Sequence, residues 1–351
     1  DIRIVRTTKK MNNILKEDIQ LFASRFALAT ELEGKAIAIT GSTGLLGACM
    51  VRCLLALKAQ RGVNLHIVAV VRNMEKAVRL FGEEREELSY YQYDFSSTEP
   101  FQPKRKVDYL FHFAAPTASK DFVEKPVETM NTVYMGMQNI LNYAEQAKLE
   151  SLVLASTLEV YGTITDDSTP LTEDKQGYLD PMATRSSYPL AKRAAEALCH
   201  NYAVEKQVKV KVARLAQTFG AGVSKQDNRV FAQFARSVIH DEDIILHTTG
   251  ELSRCYCYTT DAISAMLYIL LKGEDGTAYN VANEATYISI RQMAELVAKT
   301  FNPDHVHVVI EMQEGLGYSP TTKLRLDTQR IQSLGWTPYY NMKDMFGRLI
   351  A

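Results

Sequence analysis

An α/β fold with a doubly wound parallel sheet is predicted by three features of the sequence. Short apolar runs alternate with stretches of helical spacing through the first 215 residues. The first run, residues 36–39, breaks into Gly41-Ser42-Thr43-Gly44-Leu45-Leu46-Gly47, three glycines three apart, and passes into a helical pattern at Met50, Val51 and Leu54. Further on, a strand ending in Ser156-Thr157 is followed by Tyr188 and Lys192, four apart at the opening of a long helix.

A chain of 351 residues has room for about two domains, or one with a lobe. Its 46% hydrophobic and 23% charged content is ordinary for a globular protein. A net charge of −1 provides no basic field for nucleic acid and no acidic tail. The cysteines (Cys49, Cys53, Cys199, Cys255, Cys257) show no CxxC spacing and no histidines nearby. They read as reduced core thiols of a cytoplasmic protein, with no metal site expected. No run has the length of a membrane span, and no secretory pattern opens the chain. Met11 is a candidate start, residues 1–10 being a tag remnant or an upstream extension.

Taken in order, residues 13–33 place Ile14, Leu15, Ile19, Leu21, Phe22 and Phe26 at helical spacing. They predict an N-terminal helical appendage that packs and carries no chemistry. The glycine turn comes next. Gly41 permits the tight turn, Gly44 lets the backbone approach a pyrophosphate, and Gly47 lets the helix lie close to the sheet. Free N–H groups at the helix start then suit phosphates, which makes Thr43, Leu45 and Leu46 cofactor contacts as well. A second strand, 65–71, ends in Arg72-Asn73, where an acid would otherwise hold the adenosine ribose. A guanidinium there suits a 2′-phosphate, so NADP is favoured slightly over NAD. Residues 88–93 predict a third strand, with Asp94 and Phe95 after it at the adenine edge. Residues 107–113 form a fourth, ending in His112-Phe113-Ala114-Ala115, where small side chains admit a cofactor closely. A helix over 126–148 and a strand over 151–155 follow. In such a sheet, ligand sits at the carboxyl ends of the strands, the end carrying Gly41, Ala114 and Ser156.

Tyr188 and Lys192 share a helix face. An ammonium nearby stabilises phenolate and is expected to lower the tyrosine from about 10 toward neutrality. Tyr188 is then a usable acid or base for a sugar hydroxyl, with Thr157 hydrogen-bonding the same oxygen.

The motifs GSTGLLG, HFAAPTAS, ASTLEVYG and YPLAK resemble the extended short-chain dehydrogenase/reductase superfamily, in its nucleotide-sugar epimerase, dehydratase and decarboxylase branch. The resemblance runs from about residue 34 to 340 and is closest to UDP-glucuronate decarboxylases, through HFAAPTAS, ASTLEVYG and residues 185–196. It implies a Rossmann domain over 34–215 with parts of 250–285, and a smaller C-terminal lobe, mainly 216–351, holding a nucleoside-diphosphate sugar. It also implies transient oxidation of the sugar with the cofactor regenerated in each cycle. The family's catalytic Tyr, Lys and Ser/Thr fall on Tyr188, Lys192 and Thr157, and Pro116 of HFAAPTAS lies on the substrate side.

Departures from the family pattern rank the reactions. Dehydratases carry an Asp–Glu pair after the Thr; here the Asp position is Leu158, and only Glu159 remains for a later proton step. Decarboxylases tend to have a hydroxyl at the Leu158 position and an arginine late in the chain. That register falls on Leu324, with Arg325 as a substitute after a one-residue shift. Epimerisation needs only Tyr, Lys, Thr and room, and ranks first; decarboxylation is second and 4,6-dehydration third. Gln217 replaces an Asn that usually touches the diphosphate. Arg254 resembles the arginine that grips it, and Arg229, at the start of a helix opening near Asp227, is a further ligand contact. Asp261 reads as an N-cap. A homodimer through the helices at 126–148 and 188–206 is implied by the same family. The rivals are a non-catalytic nucleotide-binding sensor and a reductase that releases oxidised cofactor each turn.

Overall fold

A computed structural model describes residues 12–97, 99–116, 118–313 and 321–351. The helix predicted ahead of the first strand is α1 (Asn13–Arg25), capped by the Asn12 side chain. Then come β1 (Lys35–Thr40), α2 (Leu45–Arg61), β2 (Leu65–Val71), α3 (Met74–Phe81), β3 (Leu88–Gln92) and β4 (Tyr109–His112). They are followed by α4 (Ser119–Glu124), α5 (Pro126–Ala147), β5 (Ser151–Thr157), α6 (Ser187–Lys206) and β6 (Val210–Leu215). The remaining elements are β7 (Gln217–Phe219), α7 (Val230–Ile239), β8 (Ile244–Leu246), β9 (Ser253–Tyr258), α8 (Thr259–Lys272), β10 (Ala278–Val281), β11 (Asn283–Ser289), α9 (Ile290–Phe301), β12 (Val308–Ile310), β13 (Lys323–Leu324), α10 (Gln329–Gln332) and α11 (Met342–Ile350).

Seven strands form one sheet in the order β3-β2-β1-β4-β5-β6-β10, every neighbouring pair parallel. The order in which successive strands are added reverses between β1 and β4. A crevice at the carboxyl ends of those two strands is where such sheets receive a ligand. Alternate residues feed opposite cores, as the pleat requires. Ile37 and Ile39 pack with α1, α2 and α8, whereas Ala38 packs with the α4–α6 side. Because helices cover both faces, β2 is buried at all seven positions, which explains its unbroken apolar run LHIVAVV.

A second sheet, ordered β11-β9-β13 with β7 also paired to β9, has its own core with α7, α9 and α11. Helix α1 connects the two regions. It packs on α2 and α8, and its buried Asp18 accepts hydrogen bonds from Tyr258 and from Arg348 of α11.

Two local expectations are corrected. The helix expected to open at Asp227 starts at Val230, because Asp227 is occupied in binding the backbone N–H and guanidinium of Arg229. Asp261 is not an N-cap. Helix α8 begins at Thr259, and the Asp261 carboxylate instead accepts the backbone N–H groups of Tyr339 (3.0 Å) and Tyr340 (3.1 Å), tying down the C-terminal segment.

Candidate active site

The glycine turn presents what the spacing anticipated. Gly41 has φ +63°, and a Cβ there would lie 3.0 Å from Ala114 N, so β1 and β4 meet backbone to backbone. A Cβ on Gly47 would collide with the Gly41 carbonyl. Helix α2 starts after Gly44 with no side-chain cap among the described residues. Its first N–H groups, at Leu45, Leu46 and Gly47, are thereby left to an anion. Thr43 and the two leucines are half-buried around this cradle. The cradle fits the pyrophosphate of a dinucleotide.

The floor of the crevice is held by Thr40, whose role was not legible beforehand. Its hydroxyl oxygen accepts the N–H groups of Phe113 (3.0 Å) and Ala114 (3.1 Å) and lies 2.9 Å from His112 Nδ1. Burial and the nearby Lys192 charge push His112 down to about 3, so its imidazole is neutral. With Oγ1 accepting from two amides, the Thr40 proton is directed to His112. This fixes the strand end that presents Ala114, Ala115 and Pro116, all half-buried. The next residue of that motif, Thr117, lies outside the described residues, as do Met11 and the residues before it.

At the end of β2, where the adenosine is expected, Arg72 is exposed and its charge acts on Asp94. The Asp94 carboxylate is taken up by Ser96, through N (2.9 Å) and Oγ (2.8 Å), and these bonds hold it below the usual carboxylate range. It closes its own turn. The Phe95 ring is buried against Tyr93, Phe101 and His112, which leaves only its backbone for an adenine.

Thr157, Glu159, Tyr188 and Lys192 are brought together. The Thr157 side chain lies close enough to Tyr188 to favour its phenolate, and its Oγ1 accepts the Glu159 N–H at 3.2 Å. Lys192 Nζ lies 5.9 Å from the centre of the Tyr188 ring and donates to Ala155 O at 2.7 Å. Burial lowers its ammonium to about 8, with Glu196 opposing. The expected lowering of Tyr188 is corrected: burial first, and then the Glu159 charge, push its phenol well above the ordinary value. Desolvation disfavours the phenolate more strongly than Thr157 and the Arg185 charge favour it.

Behind this cluster lies a buried network that sequence reasoning missed. The Ser156 hydroxyl donates to Glu196, which pairs with Arg214 at 2.7 Å, both side chains 9% exposed. Arg214 also donates to Tyr161 Oη (3.2 Å) and Glu173 O (2.6 Å). The signal was present in part, since Glu196 falls four residues after Lys192 on one helix face.

The residues expected on the substrate side divide. Arg254 on β9 is half-buried, and its Nε has no partner among the described residues; nor has the hydroxyl of Tyr256, two residues on along the strand. Gln217 on β7 pairs in register with Tyr256 and so lies in the same sheet. Arg229 is not drawn into this group. It is exposed, pairs with Asp227 at 2.6 Å and lies over Phe231 at 4.7 Å. Leu158 and Leu324 are 3% and 4% exposed in one apolar cluster with Val160, Leu171 and Leu326. Arg325, the expected substitute cation, is exposed instead. Among the described residues no group of three His, Cys, Asp or Glu side chains is placed to hold a metal.

Residues 37–282 match the model of the NAD dependent epimerase/dehydratase family. The chain belongs to that family. This epimerase/dehydratase family member is 26% identical to UDP-glucuronic acid decarboxylase 1 of Danio rerio over 328 residues, 92% of this chain and 73% of the relative. It is 27% identical to UDP-glucuronic acid decarboxylase 6 of Arabidopsis thaliana over 311 residues, 88% of this chain and 85% of the relative. Among solved structures it shares the fold of UDP-glucuronic acid 4-epimerase from Bacillus cereus, in complex with UDP-glucuronic acid and NAD (TM-score 0.74, 18% identity, covering 90% of this chain and 98% of that one). RMD from Pseudomonas aeruginosa, complexed with NADPH, also shares it (TM-score 0.70, 20% identity, 90% and 97% covered). The family member is thus an NAD-dependent enzyme by descent, with a Rossmann-type sheet.

Proposed function

We propose that the chain is an NAD(P)-dependent epimerase of a nucleoside-diphosphate sugar, acting through a transient keto-sugar. The observation that carries this reading is the buried Tyr188 with Lys192 Nζ 5.9 Å from its ring centre and anchored to Ala155 O, beside Thr157 at the carboxyl ends of the strands that also present the dinucleotide cradle. A bound dinucleotide would supply reversible hydride acceptance. Tyr188, in its ionised form, takes the proton of the sugar hydroxyl as it becomes a ketone and returns it afterwards; Thr157 holds that oxygen, and Lys192 supports the negative charge of the phenolate before the proton arrives and after it is returned. Gly41, Gly44 and the start of α2 hold the pyrophosphate. The unpartnered Arg254 Nε favours a diphosphate on the side of the second sheet.

Epimerisation is preferred because Leu158 and Leu324 are both buried apolar residues and Arg325 is exposed. This leaves neither an acid directly after Thr157 for loss of water nor a late cation for a sugar carboxylate. Decarboxylation is the second reading, favoured by the names of the relatives. Residues 34–215 with parts of 250–285 form the cofactor domain, and 216–351 mainly the sugar lobe, in this reading. NADP is favoured over NAD by Arg72. Exposed Val127, Met130 and Tyr134, spaced along one face of α5, and Val204 on α6 support a homodimer through those helices. Five buried free cysteines suit the cytoplasm, and no helix among the described residues is long and apolar enough to cross a membrane.

The test is incubation with a panel of nucleotide sugars in D2O, with products read by mass spectrometry and proton NMR. An isomer of unchanged formula is the expected result. Loss of CO2 from UDP-glucuronate would replace this reading with decarboxylation, and loss of water would replace it with dehydration.

A further inference from the structure

Arg185 has no role in the chemistry described so far, yet it touches both Glu159 and the ring that supports Tyr188. It lies in the short turn Thr184–Ser186 immediately before α6. Its guanidinium is 3.1 Å from Glu159 Oε2 and 5.0 Å from the centre of the Phe122 ring. Phe122 in turn stacks on Tyr188, ring centres 4.4 Å apart and planes within 1°. The Ser187 hydroxyl donates to Phe122 O at 2.8 Å and so pins α4 to the start of α6. The Glu159 carboxylate and the ring stacked on Tyr188 therefore meet at one cation.

We propose that Arg185 is a positioning residue of this site, holding the Glu159 carboxylate at the mouth of the cluster and offsetting its negative charge where it faces Tyr188. The proposal rests on Tyr188 being the group that exchanges a proton with the sugar. The charged groups facing Tyr188 come from three elements. Glu159 comes from the turn after β5, Arg185 from the turn before α6, and Lys192 from α6 itself; α4 contributes the uncharged Phe122 ring. Glu159 disfavours the phenolate and Arg185 favours it. Removing the guanidinium leaves the carboxylate unopposed and free to turn toward solvent. Both members of the pair are about one-third exposed, 36% for Arg185 and 33% for Glu159. Their contact therefore contributes little to folding, and variants at either position should fold.

The experiment compares wild type, Arg185→Met, Arg185→Lys and the double variant Arg185→Met/Glu159→Gln. Tyr188 ionisation is followed by ultraviolet tyrosinate absorbance in the NAD+-loaded protein, where the positive charge of the oxidised cofactor would oppose the burial that raises the phenol in the free chain, with Tyr188→Phe as the blank. The expected result is a rise of about one pH unit in Arg185→Met, near-complete restoration in Arg185→Lys, and restoration in the double variant, where the opposing carboxylate is gone. With the sugar identified by the panel, kcat should fall about tenfold in Arg185→Met while KM stays within about threefold, since the fraction of ionised Tyr188 falls by that factor. An unchanged titration in Arg185→Met would overturn the proposal. So would a shift that Glu159→Gln fails to reverse, which would assign Arg185 a packing role on Phe122 instead. The titration needs no sugar, so an inert panel with the expected titration would count against the epimerase reading alone.

Discussion

Lys192 bears a charge that the fold makes costly to hold, and that cost is measurable. Its side chain is 3% exposed, and burial moves its ammonium from 10.5 down to about 8. Between those values the unfolded chain binds the proton and the native chain does not, so stability rises with pH across that window. Two and a half units at about 1.36 kcal/mol each weaken the native state by about 3 kcal/mol at neutral pH. Integrating the two titrations, about 2 kcal/mol of this is recovered between about pH 7 and about pH 9.5. Lys192→Met removes the titrating group while keeping the length of the side chain. It also removes the bond to Ala155 O, a charged hydrogen bond worth about 1.5–3 kcal/mol, so absolute stability at neutral pH should change little. The slope with pH is the discriminating quantity. Urea unfolding of wild type and Lys192→Met, in the absence of cofactor and at matched pH values, gives it directly. The wild type should gain about 2 kcal/mol on the variant over that interval. Parallel stability curves would refute the reasoning, because they would mean that the ammonium keeps its ordinary affinity for the proton in the fold.

Tyr188→Phe should bind dinucleotide as wild type does, read by fluorescence titration, and lose about 10²–10⁴ in turnover; turnover within threefold of wild type would remove Tyr188 from the reaction. Arg72→Asp should lower the NADPH-to-NADH affinity ratio at least about tenfold by replacing a cation with an anion near the 2′ position. An unchanged ratio would mean that Arg72 faces only water. Asp261 is raised by burial from 3.8 to about 7, so the native chain holds a proton that the unfolded chain has released and stability falls as pH rises between those values. Asp261→Asn should remove about 4 kcal/mol of that pH dependence, measured as the change in Tm between acidic and mildly alkaline buffer; an equal change in both proteins would refute it.

The elements of the sheet were legible because their signals are local. Residues 65–71 were delimited exactly as β2, since a strand buried on both faces is apolar throughout. Helix α5 was legible from its spacing and the proline at its start. Helix α4 was not, because six residues offer too little periodicity to read. The misassignment of Asp261 has a different origin. An acid near a helix start is ordinarily read as a cap, and only tertiary structure brings Tyr339 and Tyr340, nearly eighty residues away in sequence, to its carboxylate.

The glycine spacing, the Tyr188–Lys192 interval and the strand-end hydroxyl are short-range patterns tied to backbone periodicity, and from them the sequence alone determined the sheet class, the candidate dinucleotide cradle and the candidate catalytic cluster. Electrostatics was decided elsewhere. Whether the phenol of Tyr188 rises or falls depends on how much water is excluded and on which charges converge through space, namely Glu159 and the Arg185 paired with it. The same holds for Leu158 and Leu324, 166 positions apart in the chain, which close one apolar cluster. Solvent exclusion is a property of the packed assembly, and no interval along the chain encodes it.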